Sequence, residues 1–356
     1  MKNLKALAAL VMAGSMAILA GCSSSAPATT AAPAATQAAA DTQAAAADTQ
    51  AAAAEAPAAA ETDWPKNAVT VVVPYSAGGD TDTYCRTMCK LLGEELNQNF
   101  VVVNTTGGSG VVASTSVMGA KNDGYTMLFH HTGVMLTQEA VGSNQFSFFD
   151  DFDVVGTVAR DDTYALIVKK EDADKWGTLE DMIAWAKENP GQIKFSVTFN
   201  GATHAVAEQM QREMGIEMNN IDVGSSGADR LTAFMAKQCD LLVINYMNIK
   251  DYVENGDFIV LGVCAEERLA GLEDIPTLKE QGYNVIEPKQ YEVRFPKDTD
   301  PAIEAKLSAA LEKVTASPEF AETLATYYAQ PFYRNAEDTI SQDKEEVETL
   351  KGFFAQ

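Results

Sequence analysis

Basic residues are scarce in this chain. Lys and Arg number 26 against 50 Asp and Glu in 356 residues, a formal net charge of −24. So acidic a surface repels nucleic acid and anionic lipid headgroups, which excludes nucleic acid as a partner. Histidine is scarcer still, with three. No GxSxG elbow occurs, so nothing favours a Ser-His-Asp triad. The five cysteines are Cys22, Cys85, Cys89, Cys239 and Cys264, and no CxxC or Cys/His spacing joins them. Cys85 and Cys89 fall on the apolar stripe 85, 88, 89, 92, 96 of an expected helix. They read as small core residues rather than a redox or metal pair. Cys239 and Cys264 lie in or beside strand-like runs and also read as core. Without an obvious disulfide framework, the fold depends on its size for a core. Residues 6–20 are the one long apolar run, too short for a comfortable membrane span.

Lys2 and Lys5 precede that run, and Leu19-Ala20-Gly21-Cys22 closes it. The pattern reads as a signal peptide ending in a lipobox, with Cys22 left as a lipidated N-terminus. Its removal takes the basic count from 26 to 24 against 50 acids, a mature charge of −26. Residues 23–62 are rich in Ala, Ser, Thr, Gln and Pro, and DTQAAAA repeats at 41–47 and 48–54. Such a segment cannot bury a core. It reads as a disordered linker of roughly 35 Å that holds a domain off a surface.

From residue 68 strand and helix signals alternate. Strands are expected at 69–73, 100–103, 125–129, 152–158, 164–168, 193–197, 220–223, 239–244 and 258–263. Helices are expected near 81–96, 110–120, 178–189, 203–214 and 228–237, with a mostly helical tail over 301–354. The alternation predicts an α/β fold with mainly parallel sheets, whose ligands sit beyond the C-terminal ends of strands. The loops there (74–82, 104–110, 130–133, 198–204, 224–228 and 245–248) hold Gly, Ser, Thr, Asn and His and almost no Lys or Arg. They predict a site of backbone N–H groups, hydroxyls and helix dipoles suited to a small polar ligand.

Other motifs are weaker. Gly108-Ser109-Gly110-Val111-Val112-Ala113 matches GxGxxA, but no acidic residue follows at the ribose position, so it reads as a glycine turn lining the cleft. His130 and His131 are adjacent on a strand and cannot easily share one metal ion. One is expected to face inward and one outward, with His131 in the cleft. His204 opens a helix and reads as a structural hydrogen-bonder.

Several segments together carry a family likeness: VVPYSAGGDTD (72–82), VVNTTGGSG (102–110), NDGYTML (122–128), DFDVVGTVAR (151–160), ENPGQIKF (188–195), ATHAV (202–206) and LEDIPTLKEQG (272–282). With them the chain resembles the solute-binding proteins of tripartite tricarboxylate transporters, the Bug family. The resemblance implies a two-domain periplasmic-binding-protein (type II) fold with a ligand cleft between lobes. One domain would span 64–161 plus 264–356, the other 162–263. It implies no enzyme activity and no cofactor or metal. The implied partners are a small carboxylate or amino acid and membrane permease subunits, and the implied location is exported, lipid-anchored to the outer face of the cytoplasmic membrane or periplasmic. A monomer is expected. The contacts carried over are Tyr75, Ser76, Ala77, Gly78, Gly79, Asp80, Thr81, His131, Thr132, Gly133, Thr198, Asn200, Thr203, Ser225, Ser226 and Asn245. An exported hydrolase using His131 or His204, or a sensory subunit presenting ligand to a receptor, are the alternatives.

The sequence departs from the family pattern at Asp80, at Thr105 in place of a common arginine, and at Ile244 in place of a frequent Asp. Asp82 reads as a helix cap. For Asp80 two readings stay open: a helix cap, or a contact for the ammonium of a zwitterionic ligand.

Overall fold

The structure is a computed structural model that describes residues 62–224 and 226–355. The expected signal peptide, Cys22, all but the last residue of the expected linker, and Ser225 lie outside the described residues. In chain order the strands are β1 (Val69–Val73), β2 (Phe100–Asn104), β3 (Thr126–His131), β4 (Phe152–Asp161), β5 (Tyr164–Lys169), β6 (Lys194–Val197), β7 (Asn219–Asp222), β8 (Leu241–Asn245), β9 (Phe258–Val263), β10 (Lys289–Pro296) and β11 (Gln330–Asn335). The helices are α1 (Asp80–Leu96), α2 (Val111–Met118), α3 (Thr132–Val141), α4 (Ala173–Trp176), α5 (Leu179–Glu188), α6 (Ala202–Met214), α7 (Gly227–Met235), α8 (Lys250–Glu254), α9 (Pro301–Thr315), α10 (Pro318–Ala325) and α11 (Ala336–Phe354).

Two sheets result. The larger runs β11-β4-β10-β3-β1-β2 and the smaller β7-β6-β8-β5-β9. The valine-rich β1 is buried and pairs in parallel with β2 and β3. In the smaller sheet β6 pairs in parallel with β7 and β8. The other pairings are antiparallel, so mixed sheets replace the mainly parallel ones expected. The physical reason is the crossovers. β4 and β5 are joined by two residues and enter different sheets, and β10 returns between β3 and β4 against their direction.

Three elements escape the sequence pattern. β10 reads KQYEVRFP, polar for a central strand, yet every residue but Gln290 is buried. β11 is a half-buried edge strand inside the tail expected to be mostly helical. α3 is buried all round its first two turns, so it shows no amphipathic stripe.

Each sheet has its own core. Val69, Val71, Tyr84, Met88, Phe129, Tyr291 and Leu307 pack in the first. Leu166, Val168, Phe195, Val206, Met210 and Val243 pack in the second. Cys264, Leu278 and Val285 also join the second core. The segment from Cys264 to Val285 therefore packs with the second sheet before β10 returns to the first. Helix α11 bridges the two layers: Val347 and Leu350 pack with Leu136 of α3 and Ala205 of α6.

Candidate functional site

The first loop follows from the end of β1. The buried strand runs out at Pro74, and Ser76 to Gly79 are exposed. Gly78 has φ +90°, which lets the backbone reverse there. α1 then opens on Gly79, with no side-chain cap. Asp82 is buried and lies inside the first turn. It accepts the Gly78 N–H at 2.9 Å, Arg86 Nε at 2.9 Å and Asn104 Nδ2 at 2.9 Å. Burial pushes its carboxyl up, but these hydrogen bonds outweigh that and hold it below its ordinary value. Asp82 thus secures the loop from within the helix rather than sitting at its N-cap.

Asp80 is the first residue of α1 rather than its N-cap, which is Gly79. Its Oδ2 accepts from Lys289 Nζ at 2.7 Å and from the Tyr291 hydroxyl at 2.8 Å. Burial raises its pKa, yet the Lys289 charge and these two hydrogen bonds bring it well below the usual carboxylate range. Lys289 is only 2% exposed, lies 3.2 Å from Asp161 Oδ2 and donates to Asn245 Oδ1 at 3.0 Å. Burial lowers its pKa, but Asp161 and Asp80 reverse that and raise it. Asn245 also donates to Asp161 Oδ2 at 2.7 Å, so its amide is matched within the protein. The Asp80 carboxylate is thus matched by an ammonium of the protein itself.

Next to this loop lies the start of α3. Its N-cap is His131, again with no side-chain cap. The Tyr75 ring stacks on His131 with centroids 5.0 Å apart. Both histidines of β3 are buried, His130 at 1% and His131 at 7% exposure, which corrects the expectation of one inward and one outward ring. Helix α2 and its glycine turn cover the second face: a Cβ on Gly110 would meet His130 Nε2 at 2.5 Å. Burial drives both imidazole pKa values down, that of His131 to about 3 with Lys289 adding to the fall. Thr132 accepts the Gln290 N–H at 3.0 Å, tying α3 to β10.

The second sheet contributes the β6–α6 loop. Thr198 and Thr203 are buried, and Thr203 Oγ1 accepts the Thr198 N–H at 2.9 Å. α6 opens on Gly201 with no side-chain cap. Asn200 is exposed, and its N–H donates to His204 Nδ1 at 3.3 Å, the structural role read for His204. Gly133 of α3 sits against α6, since a Cβ there would come within 2.9 Å of the Ala202 Cβ. The uncapped starts of α3 and α6 therefore meet, with Tyr75 and the α1 loop beside them.

Not every expected contact is available. Ser226 caps α7 in a capping box with Asp229. Thr81 is buried, and its hydroxyl lies 3.4 Å from Asp80 Oδ1. Ser76, Ala77, Gly78 and Gly79 stay exposed. Conversely, Arg230, Lys289, Tyr291 and Asp161 stand out only in three dimensions. Arg230 lies two residues beyond the 224–228 loop, and Lys289 sits on the unrecognised β10. Among the described residues, no three His, Cys, Asp or Glu side chains gather as a metal cluster. Two open grooves lie elsewhere, one lined from Arg86 to Val102 and one by Arg160, Arg268 and Tyr328; neither includes these residues.

Residues 85–354 match the family described as the tripartite tricarboxylate transporter family receptor, TctC. The chain is similar to Protein BugT of Bordetella pertussis, 26% identical over 299 residues that span 81% of this chain and 89% of that one. It is similar to a TctC solute binding protein from Polaromonas, solved without ligand, at 25% identity and a TM-score of 0.65 over 82% of this chain and 99% of that one. It is also similar to an R. palustris protein solved with adipate, at 26% identity and a TM-score of 0.73 over 82% of this chain and 97% of that one.

Proposed function

Because the chain belongs to the tripartite tricarboxylate transporter receptor family, a family of solute-binding receptors rather than enzymes, we propose that it captures a small carboxylate outside the cytoplasm for the permease subunits of such a transporter. One observation carries the ligand class. Among the described residues seven helices start without a side-chain cap, and three of them, α1, α3 and α6, bring their starts at Gly79, His131 and Gly201 together beside Tyr75, whereas α2, α4, α8 and α10 are the other four. By contrast α5, α7, α9 and α11 are capped by Thr178, Ser226, Asp300 and Asn335. Free N–H groups at helix starts favour an anion. The similar R. palustris protein with adipate supports the same class.

The two sheets are the two lobes of the receptor, one built on 64–161 with the return from 287 onward, the other on 162–286. Tyr75, Ser76, Ala77, Gly78, Gly79, His131, Thr132 and Gly133 line one side of the cleft, with Thr198, Asn200 and Thr203 opposite. A ligand touching both lobes selects the closed form. A lipid on Cys22 and the linker after it would tether a monomer to the membrane face. Among the described residues no helix is long and apolar enough to cross a membrane. The amino-acid alternative loses its main support, because Asp80 is already matched by Lys289.

Mass spectrometry of small molecules released by denaturing the purified protein tests this reading, together with a thermal-shift screen of carboxylates and amino acids. Ligand at a hundred times its Kd stabilises the fold by roughly 2.7 kcal/mol. Release of a carboxylate is the expected result. Chemical conversion of whatever binds would overturn the receptor reading in favour of the exported hydrolase.

A further inference from the structure

The chain buries two arginines and treats them differently. Arg294 is fully buried, and its guanidinium donates to Glu292 at 2.6 Å, to Asp343 at 2.6 Å and to the Phe148 carbonyl at 2.6 Å. Arg230 is 6% exposed, and among the described residues the one hydrogen bond of its guanidinium runs from Nη1 to Thr198 Oγ1 at 2.9 Å. Its Nε is buried with no acceptor. It forms no ion pair with a described Asp or Glu, and the neighbouring Asp229 is turned to the Ser226 cap. A buried guanidinium has five donors in a planar fork and a large desolvation cost, so it calls for an acidic partner.

No acidic partner for Arg230 lies among the described residues. Thr198, which receives the one bond, lies just beyond β6 in the loop that leads to α6. The start of α6, to which this loop leads, lies against Gly133 at the start of α3, where a Cβ would come within 2.9 Å of the Ala202 Cβ and 3.6 Å of His131 Nδ1. Tyr75 of the other lobe stacks on His131 with centroids 5.0 Å apart, and the Arg230 charge accordingly acts on Tyr75 and on Tyr164 at the start of β5. The Tyr75 hydroxyl is itself buried with no partner among the described residues, and so is Nδ1 of His131, on which Tyr75 stacks. Unmatched polar groups from both lobes therefore gather at one place. The other buried cation nearby, Lys289, is held between Asp80 and Asp161.

The geometry points to Arg230 as the carboxylate anchor of the cleft: its free Nε edge and the Tyr75 hydroxyl together hold one carboxylate of an anionic ligand that carries no ammonium group beside it. This rests on the carboxylate-receptor reading and deepens it. A carboxylate accepts the guanidinium fork through two parallel N–H···O bonds, which supplies the absent counter-ion. A zwitterion gains the same contact, but its ammonium finds Asp80 already neutralised.

The test uses residues 23–356, stripped of bound ligand by unfolding and refolding. Adipate, succinate and malate are titrated by calorimetry beside aspartate and glutamate, for wild type, Arg230→Gln, Arg230→Lys and Tyr75→Phe. The wild type is expected to prefer one of the three non-amino acids. Arg230→Gln should weaken that probe at least a hundredfold, Arg230→Lys less, and Tyr75→Phe about tenfold. The ligand-free Arg230→Gln protein should melt no lower than ligand-free wild type, because the change removes an unmatched buried charge. A merely structural arginine would lower that melting temperature. If the wild type binds a probe and Arg230→Gln binds it within threefold, the anchor is overturned while the receptor reading stands. Preference for aspartate or glutamate overturns the exclusion of an ammonium. A wild type that binds no carboxylate and releases none on denaturation overturns both.

Discussion

Lys289 Nζ lies 2.7 Å from Asp80 Oδ2 and 3.2 Å from Asp161 Oδ2, joining the first helix, the end of β4 and β10 at one ammonium. Asp161 in turn accepts the Thr163 N–H at 2.9 Å, across the link to β5. One buried cation thus fixes the start of α1 against the strand that leads into the second lobe. Asp80, for which the sequence leaves a helix cap and a ligand contact both open, is bound to Lys289 within the protein.

Replacing Lys289 with Met should therefore act on stability before selectivity. The variant leaves the buried Asp161 and the partly buried Asp80 without their cation. Breaking a buried pair this way costs about 3–5 kcal/mol, and the 28% exposure of the Asp80 side chain puts the loss toward the lower end. Urea unfolding measures it. Asp80→Asn, which leaves Lys289 paired with Asp161, should lose less. A Lys289→Met protein as stable as wild type would mean the network does not hold α1 against β4.

Acid should destabilise the fold through the two histidines of β3. Both have pKa values depressed from 6.5 by burial, that of His131 to about 3. The unfolded chain then binds protons that the folded one refuses. Stability present above about pH 6.5 is lost as pH falls toward 3. Between pH 7 and about 4.5 the melting temperature of His131→Gln should fall less than that of wild type. Equal slopes would show that His131 protonates in the folded state without cost.

Much of this was legible in the sequence, and the exceptions share a cause. Strand β1, helix α5 with its Thr178 cap and strand β9 follow from β-branched runs and cap chemistry within a few residues. Loop positions were readable because glycines and small polar residues mark strand ends. β10 was not, because its Lys289, Glu292 and Arg294 look solvent-facing until their partners, distant in the chain, are known. Arg230 was hidden for the same reason: an arginine on a helix reads as surface, and only folding shows it to be buried. The family likeness brought the loops together. It could not say which of their polar groups the protein satisfies by itself.

Cys85, Cys89, Cys239 and Cys264 are free and buried. The Cys85 and Cys89 sulfurs lie 3.8 Å apart on α1, within the first core. Burial pushes the Cys85 thiol up, and that of Cys239 up to about 11, so neither offers thiolate at neutral pH. A maleimide or disulfide reagent should label none of the four in the folded protein and all four in urea. Rapid labelling of Cys85 or Cys89 in the native state would contradict the core reading and restore the redox pair.

Closure can be tested at Gly133. The start of α3 meets α6 there, and an added Cβ would come within 2.9 Å of the Ala202 Cβ and 3.2 Å of Glu287 Oε1. Neither neighbour can retreat easily, since both are buried. Gly133→Val should hold the lobes apart while keeping the Gly133 backbone N–H, and because Gly133 also lines the cleft, the scattering change rather than the affinity reports on closure. Affinity for the best carboxylate probe should fall at least tenfold, while the ligand-free protein loses little stability, because its open form relieves the contact. Small-angle scattering would then show no compaction on adding ligand, where wild type contracts. If Gly133→Val binds and contracts like wild type, the contact between α3 and α6 is not part of closure. The ligand would then be held by lobes that stay as they are.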